Sequence, residues 1–345
     1  MIGAPINSVD FSVERATRAS RVASVVGIAL FAAALTLPWW GNSGWMREVV
    51  EISCYLVFAM MWNLLAGYAG MVSIGQQAFV GLGGYFLVIL ANKLGVNPFL
   101  SVPLAALIAA LFAFPTSRFV FRLQGGYFAI GTWVVAEVFR LFFANISALG
   151  GGSGTSLTAL AGIPKATREM ITYWLALGAV IFAVGLVYGL LRSRFGLALT
   201  AIRDSEVAAE SQGINVKSTK LIVYVLASFG AGLAGALYYL SNLRISPDVA
   251  FGVNWTAFTI FIVLIGGIGT IEGPILGALI FWFLNKFFSD YGSWYLIGLG
   301  LLAIVIVVKL RAGLWGAISQ RFDLHLFPVQ RRLRIREGLG VRSKV

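Results

Sequence analysis

Apolar runs of about twenty residues recur along the whole chain, each closed by a short polar or glycine-rich break. An α-helix needs about 20 apolar residues to cross a bilayer, so each run predicts a membrane span. Ten can be read: 22–37, 48–66, 72–91, 98–116, 126–144, 170–191, 221–243, 255–271, 273–288 and 294–308. The fold class expected is all-α, a polytopic membrane protein with about ten transmembrane helices. The third and ninth runs are glycine-rich and broken by polar residues, so each suits either a full crossing or a re-entrant segment. The first run follows a basic flank, as a signal peptide would. The bulky Leu37-Pro38-Trp39 that ends it is no small-residue cleavage site, so it reads as an uncleaved anchor.

Charge gives the orientation. With the N-terminus in the cytoplasm and sides alternating, the inner segments hold 19 basic residues: Arg15, Arg18, Arg21, Arg118, Arg122, Arg192, Arg194, Arg203, Lys217, Lys220 and nine from Lys309 onward. The outer segments and span ends hold 7. Cytoplasmic loops of membrane proteins carry the excess of Lys and Arg, so both termini are expected inside. The organisation that follows is a cytoplasmic N-terminal segment over 1–21, a transmembrane domain over 22–310 with a cytoplasmic loop at 192–220, and a basic cytoplasmic tail over 311–345. Localisation in the inner (plasma) membrane fits this plan.

Composition then excludes several functions. Hydrophobic residues make up 59% of the chain and charged ones 12%, with a mean hydropathy of +0.87, against about a quarter charged in an ordinary soluble domain. The net charge of +12 is read as attraction to anionic membrane lipid rather than to nucleic acid. One Cys (Cys54) and one His (His325) rule out an internal disulfide and a His/Cys metal site. There is no Walker A loop, no Gly-x-Ser-x-Gly elbow and no His-Glu-x-x-His. No cofactor is expected. Nor is catalysis, and any ATP hydrolysis must sit on separate subunits.

The polar interval 199–220 reads LTAIRDSEVAAESQGINVKSTK. Asp204 or Ser205 can cap a helix, and Gly213 can end it in the left-handed conformation. The resulting two-turn helix is too short to stand alone and needs something to dock against. Ala208 and Ala209 would offer a flat face, with Arg203, Asp204, Glu206 and Glu210 as rim charges; a solvated connector is the plain alternative. The stretch Glu206-x-Ala208-Ala209-x-x-x-Gly213 resembles the coupling loop of ABC importer permeases. The longer string 201–239 resembles the membrane permease of branched-chain amino-acid ABC importers. Three more blocks agree in order: GYAGMVSIGQQAFVGLGGY (67–85), LQGGYFAIGTWVVAEVFR (123–140) and GGIGTIEGPILGAL (266–279). The likeness covers most of 45–315. It departs where the family often has His at Gln76 or Gln77, Asp at Gly126, and a Gly-Pro-x-Gly pattern in the loop after the fifth run.

The resemblance implies partners: two ATPase subunits at the loop residues Arg203, Asp204, Glu206, Ala208, Ala209 and Gly213, a second homologous permease, and a periplasmic or extracellular substrate-binding protein. It implies branched-chain amino acids as cargo, with urea or short amides as the alternative. An ATP-independent channel or secondary transporter is the rival class. Ser73, Gln76, Gln77, Tyr127 and Glu137 are candidates for the translocation path, because polar groups in a span must find partners or line a passage. Glu137 and Arg140, three apart on one helix, can pair. The run 230–236, all small residues but Leu233, reads as close helix packing. The outer loop 146–169 reads as mobile.

Overall fold

The computed structural model describes residues 11–14, 18–310, 312–322, 324, 326–327 and 332–335. The rest of the expected N-terminal segment and basic tail, including Arg15, His325, Arg331 and Arg336, lies outside the described residues. The described chain is almost wholly helical. In order, α1 is Arg18–Leu35, α2 Ser43–Asn63, α3 Gln77–Val88, α4 Pro98–Val120, α5 Gly126–Ala144, α6 Lys165–Arg192, α7 Arg194–Asp204, α8 Glu206–Ser211, α9 Val216–Asn242, α10 Asn254–Gly266, α11 Glu272–Phe288, α12 Ser293–Lys309 and α13 Gly313–Phe322. π-Helical turns extend α2 to Tyr68 and α3 to Lys93. Four short strands form two antiparallel pairs: β1 (Phe11–Glu14) with β4 (Arg332–Ile335), and β2 (Thr155–Ser156) with β3 (Arg244–Ile245).

Among the described residues, seven helical stretches are long and apolar enough to cross a membrane: Ser43–Tyr68, Pro98–Val120, Gly126–Ala144, Lys165–Arg192, Val216–Asn242, Pro247–Gly266 and Trp294–Phe322. The first, third and ninth expected runs fall in α1, α3 and α11, which are not among these seven. The third run is not helical from its start. Gly70, at φ +70°, turns the chain into a non-helical stretch, and the helix begins only at Gln77. Such backbone is tolerated at membrane depth only where protein covers it, and residues 73–84 are buried throughout except for a half-buried Ile74.

The main core is one continuous cluster built around α9. Its small residues let three helices approach. A Cβ on Gly230 would meet the Met61 side chain of α2 at 2.2 Å, one on Gly232 would meet the Ala109 Cβ of α4 at 2.7 Å, and one on Gly235 would meet the Val80 carbonyl of α3 at 2.1 Å. With lipid tails as apolar as Leu, such close van der Waals contact is what drives helices together. The expected packing role of 230–236 is thus what the fold uses.

Cross-contacts sort the loops into two ends. At one end Arg203, just before α8, reaches the Gly67 carbonyl, and the 267–270 turn lies against Asn63. Phe327 lies against Tyr188. At the other end Arg47 pairs with Glu169, Lys286 with Glu48, and β2 with β3. Exposed Trp39, Trp40, Tyr291 and Trp294 belong to this second end, where an aromatic belt suits a membrane interface. The loop 146–169, expected to be mobile, is tied to α3 at residues 156–159. Asn92 donates to the Ser156 carbonyl and accepts from the Thr158 and Ala159 amides, at 2.9–3.0 Å. A side-chain amide from α3 supplies what the loop's own polar backbone would otherwise seek from water.

Candidate functional site: the loop helix and the buried polar break

The helix α8 carries caps at both ends. Ser205, not Asp204, is the N-cap: its backbone is extended (φ −163°, ψ 115°) and its Oγ accepts from the Ala208 amide at 3.2 Å. At the other end Gly213 stands at φ +82°, with its amide donating to the Glu210 carbonyl at 2.9 Å and the Ile214 amide to the Ala209 carbonyl at 3.1 Å. These two bonds are the Schellman pattern, which satisfies orphan carbonyls at a helix end. Ile214 packs against Ala209, Ile202 and Val216 in a small core separate from the main one.

That core corrects one expectation. Ala208 and Ala209 do not share a docking face: Ala209 is fully buried, while Ala208 and Val207 are exposed, Val207 by 78%. A helix of six residues has one turn facing its own protein, and the cap geometry hands that turn to Ala209. The outward face is therefore Val207, Ala208 and Ser211, with Glu206 and Glu210 beside it. Glu206 pairs with Lys220 at the start of α9, and Arg203 pairs with Asp204.

Arg203 also ties the loop to the membrane domain, its Nη1 lying 3.3 Å from the Gly67 carbonyl. From Gly67 the contacts continue through Asn63, whose Oδ1 accepts from the Gly269 amide and whose Nδ2 donates to the Thr270 carbonyl, both at 2.8 Å. These contacts join the end of α7 to the ends of α2 and α10. Asn63 was not singled out from the sequence; the signal available was an amide alone in the apolar run 48–66. On the same end, Glu272 at the start of α11 accepts from the Leu326 and Phe327 amides at 3.1 and 3.0 Å, which fastens the C-terminal segment.

The translocation-path candidates fall into two groups. Ser73, Gln76 and Gln77 are inside this chain's own bundle, 1%, 1% and 0% exposed. The Ser73 carbonyl accepts from the Trp62 indole at 2.8 Å, and Gln77 Oε1 accepts from the Thr256 hydroxyl of α10. Tyr127 is 77% exposed on α5, and the Glu137 side chain is about half exposed. The two groups meet at Thr132 of α5, whose Oγ1 accepts from the Ile74 amide at 3.2 Å. Glu137 does pair with Arg140, at 2.8 Å from Nε, and Arg140 reaches further to Asp248 in the turn before α10. This third member fixes the C-terminal half of α5; only the tertiary fold brings it near.

At the end away from α8, a cavity of about 150 Å³ between α2 and α11 is lined by Glu48, Glu51, Tyr55, Trp282, Asn285 and Lys286, among others. Lys286 bonds both oxygens of Glu48, at 3.0 and 2.8 Å. No group of three or more His, Cys, Asp or Glu among the described residues could hold a metal ion.

Comparison with known proteins matches residues 46–310 to the family described as branched-chain amino acid transport system / permease component. The chain is 25% identical over 317 residues to the high-affinity branched-chain amino acid transport system permease protein LivM of Escherichia coli K12, covering 83% of this chain and 73% of that one. It is 26% identical over 308 residues to the fructose import permease protein FruG of Bifidobacterium longum, covering 84% and 87%. It is 24% identical over 209 residues to the nucleoside ABC transporter permease protein NupC of Lactococcus lactis, covering 56% and 66%. No solved structure matches the chain.

Proposed function

Since the chain belongs to the family of permease components of branched-chain amino acid transport systems, we propose that it forms, with a second homologous permease, the path by which an ABC importer carries branched-chain amino acids across the membrane. Its place is the inner membrane, and its role is transport rather than catalysis. In this reading two ATPase subunits dock on the loop end of the bundle, which faces the cytoplasm, and a soluble binding protein delivers the solute at the other end. ATP-driven closure pushes on Val207 and Ala208. The capped α8 moves with α7 as a unit, and Arg203 and Asn63 carry the displacement to α2 and α10. Packed interfaces turn small shifts into rigid-body motion.

The observation that carries this reading is α8 itself: two caps and a private core around Ala209 hold six residues in a fixed shape with an apolar side chain facing outward. A solvated connector has no use for such a face. The test is Ala208→Trp, which puts a large ring on the docking face outside the small core. Loss of ATPase co-purification and at least a tenfold loss of amino-acid uptake are expected at equal amounts of inserted protein, since a close-packed contact absorbs a large ring poorly. Full uptake would return 203–213 to an ordinary connector. The names of the fructose and nucleoside permeases among the relatives favour a second reading of the cargo, a sugar or a nucleoside. Competition of labelled leucine uptake by fructose and by uridine separates the two.

A further inference from the structure

Four facts about the buried break before α3 stand together. First, α3 starts inside the bundle: its first helical residue, Gln77, bonds to Thr256, ten residues and so roughly 15 Å before the end of α10 at Gly266. Second, the amides there are orphaned. Among the described residues, neither Nε2 nor Oε1 of Gln76 has a hydrogen-bond partner, and neither has Nε2 of Gln77, though Gln76 is 1% exposed and Gln77 fully buried. A buried donor left without a partner loses its bonds to water and gains none in return. Third, Gln76 stands at the N-cap without capping the helix, so the positive end of α3 lies beside these amides and favours an anion. Fourth, α3, α4, α9 and α10 carry no acidic residue. α5, which also lies on the break, carries one acid, Glu137, and Arg140 pairs with it.

We propose that the N-terminus of α3, with the amides of Gln76 and Gln77, is a carboxylate subsite that receives the acid group of the transported solute midway across the membrane. The proposal rests on the transport reading above and names the part of the solute recognised. The amide nitrogens of Gln76 and Gln77 donate to the carboxylate, and Oε1 of Gln76 accepts from the solute's ammonium. Access runs past α5. A Cβ on Gly75 would lie 1.8 Å from the Thr132 carbonyl, so α5 sits directly on the break. Its outer end is held by Arg140 to Asp248, while its inner end begins at Gly126, where an added Cβ would meet nothing within 4 Å. Movement of that inner half exposes Gln76 and Gln77, and the return movement covers them again.

The test uses the permease in complex with its ATPase, in two parts. In the first, Gln76→Leu removes the amide and keeps the volume. A purely structural Gln76 predicts equal or better thermal stability with uptake within twofold of the parent. The subsite predicts equal or better stability with uptake down at least tenfold and ATPase co-purification unchanged. In the second, Gln76→Cys in a Cys54→Ala background is labelled by a thiosulfonate reagent with and without ATP. Isovalerate, a carboxylate without an amine, should slow labelling, and isoamylamine, an amine without a carboxylate, should not. Protection by the amine alone, or no labelling in either nucleotide state, would overturn the proposal. If the parent complex transports no amino acid, the cargo reading fails while the isovalerate result still reports on the subsite.

Discussion

At Gly213 the backbone stands at φ +82° while an added Cβ would meet nothing within 4 Å. The demand at this position is conformational, not steric. An L-residue in that region loses roughly 1–2 kcal/mol, Asn less, and a β-branched residue more. The loop core of Ile202, Ala209 and Val216 is too small to absorb such a loss. Gly213→Asn is therefore expected to keep uptake near the parent level, and Gly213→Val to lower it severalfold while leaving membrane insertion intact. Protease sensitivity of the 203–213 loop is the check, and equal resistance in the two variants would contradict it. Gly213 and the cap at Ser205 were readable as a pattern in the sequence. The split between Ala208 and Ala209 was not, because a two-turn helix shows its inner face only once Ile202 and Val216 are folded against it.

At the scale of elements, helix-to-helix contact decides stability. The backbones of α3 and α9 touch: a Cβ on Gly83 would stand 2.0 Å from the Gly232 carbonyl, and backbone cannot step aside as a flexible side chain can. Gly83→Leu is expected to cost about 3 kcal/mol or more by overpacking and to reduce the yield of folded protein in detergent. The same change at Gly178, whose surroundings are open, is expected to leave the melting temperature unchanged. Equal melting temperatures for the two would sink this account. The small-residue stripe of α9 was legible from its spacing. Its partners on α2, α3 and α4 were not, since spacing says that something approaches and not what does.

Across the whole molecule, Phe327 lies on Tyr188 beside Arg192, where the 192–220 loop begins, and β1 pairs with β4. The basic residues favour the cytoplasm for that end. Reporters fused after Lys220 and after Val345 are expected to read cytoplasmic, and one fused after Gly152 to read outside. A periplasmic signal from either of the first two would invert or break this orientation. Of the ten expected runs, seven fall in described helices that are long and apolar enough to cross a membrane. The shortness of α3 comes from the extended start that places Gln76 and Gln77 within the bundle.

The sequence by itself determined the class of protein, the run of helical segments, the bias of positive charge, the caps of α8 and the family, because each depends on local spacing or on composition. Only the tertiary structure decided what the polar residues of the spans face. Ser73, Gln76 and Gln77 share their polarity with Tyr127 and Glu137, yet the first three are sealed by α5, α9 and α10 while the other two lie on an open helix face. Asp248 joins Glu137 and Arg140 from 108 residues away. Burial and long-range pairing are properties of where helices pack, and a helix's own sequence sets its faces without naming the neighbour that covers each one.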